Sequence, residues 1–130
     1  MTLRQRWHLW IAFTLLWTVA LVVPIQAPVF SEDPDTQSWI RFVIAKTLHA
    51  SAYAAWTILA GSLHTSFAGR ISLLFFLMAH AVGTEIVQNL PWVNRGGCLR
   101  DSAIDQTGIL LGLILSWSWW TRSDPSSGET

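Results

Sequence analysis

The sequence predicts an all-α fold, a four-helix transmembrane bundle with both ends on the cytoplasmic side. Three observations lead there. Of 130 residues, 52% are hydrophobic and only 12% charged, roughly half the usual charged share. Nine are Trp, whose amphipathic rings favour the membrane–water boundary. Long apolar runs alternate with short segments rich in Pro, Gly and charge, the pattern of successive membrane helices.

The length suits one domain, residues 1–122, followed by a polar tail, 123–130 (SDPSSGET), whose composition predicts disorder. Basic and acidic residues number eight each, so formal net charge is zero. That balance offers no basic surface for nucleic acid. Cys98 is the single cysteine, so an internal disulfide is excluded.

Arg4 and Arg6 precede the first run, Trp7 to Pro24. A signal peptide has the same outline, but Ile25 and Gln26 ahead of Ala27 give no small-x-small cleavage site. A retained helix over 7–23 is expected. Pro24, Pro28 and Pro34 then stop helix formation, leaving 26–38 as an acidic loop with Glu32, Asp33 and Asp35. Trp39 opens a second helix, 39–60, containing Arg41, Lys46 and His49, with Gly61 as its stop. A polar turn, SLHTSFAG, leads to Arg70 and a third helix, 71–90, ended by Pro91. The fourth runs from Arg100 to Trp120, with Arg122 just beyond. A cytoplasmic N-terminus gives that side Arg4, Arg6, Arg70 and Arg122, in keeping with the excess of bases expected inside. Trp7, Trp10, Trp117, Trp119 and Trp120 then form an inner belt, and Trp39 and Trp92 an outer one. The expected location is the cell membrane, multi-pass, with the lipid bilayer as partner.

The stretch EIVQNLPWVNRGGCLRDSAIDQTGILLG, 85–112, puts Glu85 and Asp105 within or beside apolar runs. An ionisable group at membrane depth costs about 2.5–3.5 kcal/mol on insertion scales, so it needs a partner or a task. At about 1.5 Å per residue, Lys46 lies roughly 24 Å above Ser62, Glu85 roughly 22 Å above Arg70 and Asp105 roughly 25 Å above Arg122. Three charges of both signs, from three helices, therefore reach one height in the outer leaflet. Lys46, His49 and Tyr53 fall at i, i+3, i+7 on one helix stripe, and Glu85 and Gln88 at i, i+3. Asp101, Asp105, Gly108 and Gly112 form another stripe, whose glycines allow close helix approach. Arg95, in the outer loop, is placed to fold over Glu85 or Asp101 or to hold an anion in bidentate fashion.

Each of these residues has a structural alternative. Lys46 with Glu85 can be an ion pair holding helices together, and His49 a hydrogen-bonded interior group. Tyr53 can be packing, Gln88 interhelical glue, and Asp101 a charge favoured at a helix N-terminus. His80, deeper, can join a His–carboxylate relay or bond a neighbouring helix. No phosphate-binding glycine loop, HExxH, paired-Cys site or nucleophile elbow occurs. His49, His80 and Glu85 are metal-ligating types, but their spacing is not diagnostic; no metal or cofactor is expected.

KTLHASAY (46–53), EIVQ (85–88), Arg95 six residues before Asp101, and DSAIDQTGILLG (101–112) together resemble the VanZ-like family of small bacterial membrane proteins. The resemblance places Lys46, His49, Tyr53, Glu85, Gln88, Arg95, Asp101, Gly108 and Gly112 at the signature positions. Asp105 stands where an Asn is usual. The family is named for an accessory protein associated with reduced teicoplanin sensitivity. The resemblance thus implies a membrane fold and a phenotype in glycopeptide resistance.

The functional expectation is a polar outer-leaflet pocket that takes a lipid-linked or cell-wall-precursor anion. Lys46, Tyr53, Gln88, Arg95 and Asp105 are the ligand-binding candidates. His49, Glu85 and Asp101 are the candidate acid–base groups. Three classes remain open: a binding or accessory protein, a membrane-embedded enzyme acting on a lipid-linked precursor, and a structural partner whose buried ions set helix register.

Overall fold

The computed structural model describes residues 1–23, 33–91, 93 and 99–122. They form helices and no strand: α1 (Leu3–Val22), α2 (Pro34–Gly61), α3 (Phe67–Gln88), α4 (Leu99–Leu115) and a short α5 (Trp117–Trp120). The tail over 123–130 lies outside the described residues.

Local chemistry sets the helix starts. Thr2 caps α1 through a capping box with Gln5, the Gln5 amide donating to Thr2 Oγ1 at 3.2 Å and the Thr2 amide to Gln5 Oε1 at 2.8 Å. Asp33 caps α2 by accepting from the Thr36 amide at 2.8 Å, with Pro34 at the first helical position. Pro34 therefore begins a helix where the sequence predicts a stop. Its missing N–H costs nothing at that position, and its fixed φ suits the first turn. Asp35 consequently belongs to α2, not to a loop, and Trp39 lies in the second turn of that helix instead of opening it. Ser66 caps α3 by accepting from the Gly69 amide at 3.2 Å, so that helix starts four residues before the predicted 71.

The fourth predicted helix is two pieces. Ser116 Oγ donates to the Gly112 carbonyl at 2.6 Å and accepts from Trp120 Nε1 at 3.1 Å, and the chain leaves α-geometry there. Gly61 also has a different role from the one predicted. It is the last residue of α2, and the following Ser62 stays in right-handed geometry. A Cβ on Gly61 would sit 2.5 Å from Trp120 Nε1, so the glycine makes room for the indole.

The α2–α4 pair is the most extensive contact, with α3 packed against both and α1 against α2 and α3. The two main partners run parallel, since Ala50 faces Gly108 and Ala54 faces Gly112. A Cβ on Gly108 would collide with the Ala50 carbonyl oxygen, and one on Gly112 would lie 2.5 Å from that of Ala54. The small residues let the backbones touch.

The core below this contact is aromatic. Trp10, Tyr53, Trp56, Leu63 and Leu77 are buried together, and Trp56 meets His80 edge-on at 4.7 Å. Trp10 and Trp120, assigned by sequence to a boundary belt, are buried, whereas Trp39, Trp117 and Trp119 are exposed. Outside, large apolar side chains face outward on α1 (Leu15, Leu16), α2 (Trp39, Leu48), α3 (Phe75, Ile86) and α4 (Leu110, Ile114).

Among the described residues, only α3 is long and apolar enough to cross a membrane by length and composition. At 17 residues α4 is shorter than the roughly 20 of a usual spanning helix, and Arg41, Lys46 and His49 dilute the apolar run of α2.

Candidate functional site

The site is a polar seam between α2 and α4, continued onto α3 and α1. Because α2 and α4 lie parallel and close, their stripes meet rung by rung. Lys46 Nζ forms an ion pair with Asp101 Oδ2, both side chains one-fifth exposed. Asp101 occupies the first turn of α4, where the macrodipole also favours its negative charge. One turn deeper, His49 Nδ1 lies 3.0 Å from Asp105 Oδ1. Asp105 is fully buried, and its Oδ2 has no hydrogen-bond partner among the described residues. Deeper still come the Ala50–Gly108 and Ala54–Gly112 contacts. The close glycine packing thus holds the charged rungs together.

Glu85 enters from α3 and is 1% exposed. Donor atoms of His49, Glu85 and Asp105 all lie within 4.8 Å of one another. Charged and titratable groups from three helices meet at one level, with Lys46–Asp101 as the more exposed rung. The partner of Lys46 is Asp101.

A second hydrogen-bonded chain runs from α2 through α3 to α1. Tyr53 Oη is 3.0 Å from His80 Nδ1, and His80 Nε2 is 2.9 Å from Thr18 Oγ1. The directions follow from proton counting. Thr18 Oγ1 donates its one proton to the Thr14 carbonyl at 2.7 Å, so it accepts from His80. The proton of neutral His80 is then on Nε2, and Nδ1 accepts from the Tyr53 hydroxyl. Thr84 lies beside this chain, its Oγ1 3.4 Å from Tyr53 Oη. Trp17 presents its edge to His49 at 5.7 Å and to Tyr53 at 6.3 Å, bracing both rings.

Gln88, a ligand candidate from the sequence, donates from Nε2 to the Leu21 carbonyl at 3.0 Å and so ties α3 to the end of α1. Arg95 lies outside the described residues. Thr18 and Trp17 were not foreseen as site residues. Both sit in the apolar α1 run, where the i, i+4 spacing of Thr14 and Thr18 is the one polar signal near them, and only the packing reveals their roles.

At the opposite end, bases satisfy carbonyls just beyond the end of α2. Arg6 Nη1 donates to the Ser62 carbonyl at 3.0 Å and Arg122 Nη2 to that of Leu63 at 2.9 Å. Burial, together with the charges of Arg70 and Arg6, holds the Arg122 pKa below the ordinary arginine value.

In chemical terms the seam offers a Lys–Asp rung at its mouth and a His–Asp dyad with an adjacent carboxylate inside. The first suits electrostatic recognition and the second suits proton exchange or cation binding. Against protein-family models, curated proteins and solved structures, the chain finds no match.

Proposed function

We propose that this chain is a multi-pass membrane protein of VanZ-like type whose polar seam binds a lipid-linked or cell-envelope anion. The observation that carries this reading is the inverted distribution of polarity. Glu85 and Asp105 are buried between helices while large apolar side chains cover the outside of α1, α2, α3 and α4. Monomeric soluble proteins rarely expose contiguous apolar area beyond a few hundred Å². A bilayer is the solvent in which this surface is stable and in which buried charges carry a task.

In this reading four helices span with both ends inside, and α2 and α4 cross from the outer to the inner face. Lys46, on the more exposed rung, recognises the anionic headgroup by exchanging part of its contact with Asp101. By the resemblance, the cellular consequence is reduced sensitivity to teicoplanin. A second reading, favoured by the His49–Asp105 pair at 3.0 Å, is acid–base catalysis on a lipid-linked precursor, with His49 as general base.

The test is thermal unfolding of the detergent-solubilised protein with a polyprenyl phosphate or the uncharged polyprenol. Binding of the anion predicts stabilisation by the phosphate alone, and its loss in Lys46→Gln. Equal shifts from both lipids, or none, contradict the anion-binding reading. Product formation that disappears in His49→Gln, with the phosphate-induced shift retained, selects the enzymatic one.

A further inference from the structure

We propose that His49, Glu85 and Asp105 form a binding site for one divalent transition-metal ion of the zinc or manganese class. This goes beyond anion binding and does not depend on it.

Three observations carry it. The donor set is one imidazole and two carboxylates from three different helices, all within 4.8 Å of one another. Zinc bonds of about 2.0–2.2 Å place tetrahedral ligands roughly 3.3 Å apart. His49 Nδ1 and Asp105 Oδ1 already stand at 3.0 Å, so a rotamer adjustment of Glu85 closes the triangle. Second, both carboxylates are buried, Glu85 at 1% exposure and Asp105 at 0%. A solvated acidic patch has no such burial. Third, Asp105 Oδ2 is buried without a hydrogen-bond partner among the described residues, and it belongs to this cluster. A buried carboxylate oxygen needs a partner, and His49 meets only the other oxygen, Oδ1, while Lys46 is held by Asp101. Glu85 is also engaged elsewhere, and a carboxylate with two oxygens can serve that contact and a metal together.

The ligand types narrow the ion. Imidazole with carboxylates suits zinc, manganese or iron and argues against copper(I) or an iron–sulfur cluster, which take thiolates. Coordination through Nδ1 requires the ring proton on Nε2. An ion entering therefore moves the neutral ring from the Nδ1–H tautomer, which donates to Asp105, to the Nε2–H tautomer, with no net proton released. Trp17, edge-on to the His49 ring at 5.7 Å, fixes the ring orientation meanwhile. Three protein ligands leave a coordination position for water or for an oxygen of a bound anion.

The experiment uses the full chain in detergent, in a His8→Gln, His64→Gln background that removes the two other histidines outside the polar network. The protein is stripped with a chelator and dialysed against Zn²⁺ or Mn²⁺, and bound metal is counted by mass spectrometry. The expected result is about one ion per chain, with affinity at least about tenfold weaker in Asp105→Asn and in Glu85→Gln, since even outer-shell changes cost that much. A Co²⁺-loaded sample without ligand substitutions supplies a readout independent of variant folding. Its X-ray absorption spectrum should contain one imidazole nitrogen among oxygen ligands. Bound metal well short of one ion per chain at saturation, metal retained unchanged in Asp105→Asn, or a cobalt spectrum with oxygen ligands only would each overturn the site. Stabilisation by polyprenyl phosphate is unaffected by any of these outcomes, so the two readings fail separately.

Discussion

At the residue scale, the strongest commitments are individual protons. The Tyr53 hydroxyl donates to His80 Nδ1 at 3.0 Å because Thr18 already spends its own proton on the Thr14 carbonyl. Tyr53→Phe leaves that ring nitrogen buried without its donor, a loss of about 1–3 kcal/mol. Unfolding in a graded mixture of mild and denaturing detergent should register it. A His80→Phe, Tyr53→Phe double variant should recover part of the loss, because both polar partners are then gone. Additive losses would mean that the two side chains do not interact.

The stripes Lys46–His49–Tyr53 and Asp101–Asp105–Gly108–Gly112 were legible in the sequence because helical periodicity fixes which residues share a face. Partner choice was not. Counting residues put Lys46 and Asp105 at one height, whereas Lys46 meets Asp101 and His49 meets Asp105, a shift of one rung. Counting along a helix is blind to how far one helix slides or rotates against another, and here the Gly108–Ala50 contact sets both. Gln88 shows the same limit. Its i, i+3 spacing from Glu85 suggested a shared role, but its amide reaches the end of α1, which no spacing within α3 encodes.

At the element scale, α4 depends on glycine more than on apolar burial. Gly108→Leu drives a side chain into the Ala50 backbone, and neither helix can yield without opening the charged rungs above. Overpacking of this kind costs about 1–3 kcal/mol where side chains can shift. Here the opposing atoms are backbone, so the loss of thermal stability should exceed that of Leu110→Ala on the exposed face. The two variants measured side by side decide the point.

Helix starts obey short-range rules, and α2 illustrates a misreading. Asp33 and Pro34 form a start signal, but a run of prolines reads first as a stop. The Thr36 contacts hold the Asp33 pKa below the ordinary carboxylate value. A depressed carboxylate pKa contributes stability at neutral pH that is lost as pH falls through the folded-state value. Amide exchange at Thr36 should therefore accelerate on acidification through the carboxylate range. In Asp33→Asn, which caps without titrating, it should show no such acid-induced step beyond the intrinsic pH dependence.

At the scale of the whole molecule, polarity is inverted: Glu85 and Asp105 lie buried between the helices and large apolar side chains cover the outside. Composition alone announced helices and an apolar exterior, and the described residues are all-α. The four spans expected from the sequence are not matched by helix length and composition, because Arg41, Lys46 and His49 interrupt α2 and α4 is short. Among the described residues only α3, whose charged groups Arg70 and Glu85 lie near its two ends, passes on length and composition.

Spin labels placed one at a time at Phe75, Val82, Ile114 and Leu77 in reconstituted bilayers test this inversion most directly. Collision rates with dissolved oxygen and with a water-soluble nickel chelate report lipid and water. Phe75, Val82 and Ile114, which face outward, should collide readily with oxygen and hardly with nickel. The fully buried Leu77 should be shielded from both. High nickel accessibility at the three outward positions would place them in water and contradict the account.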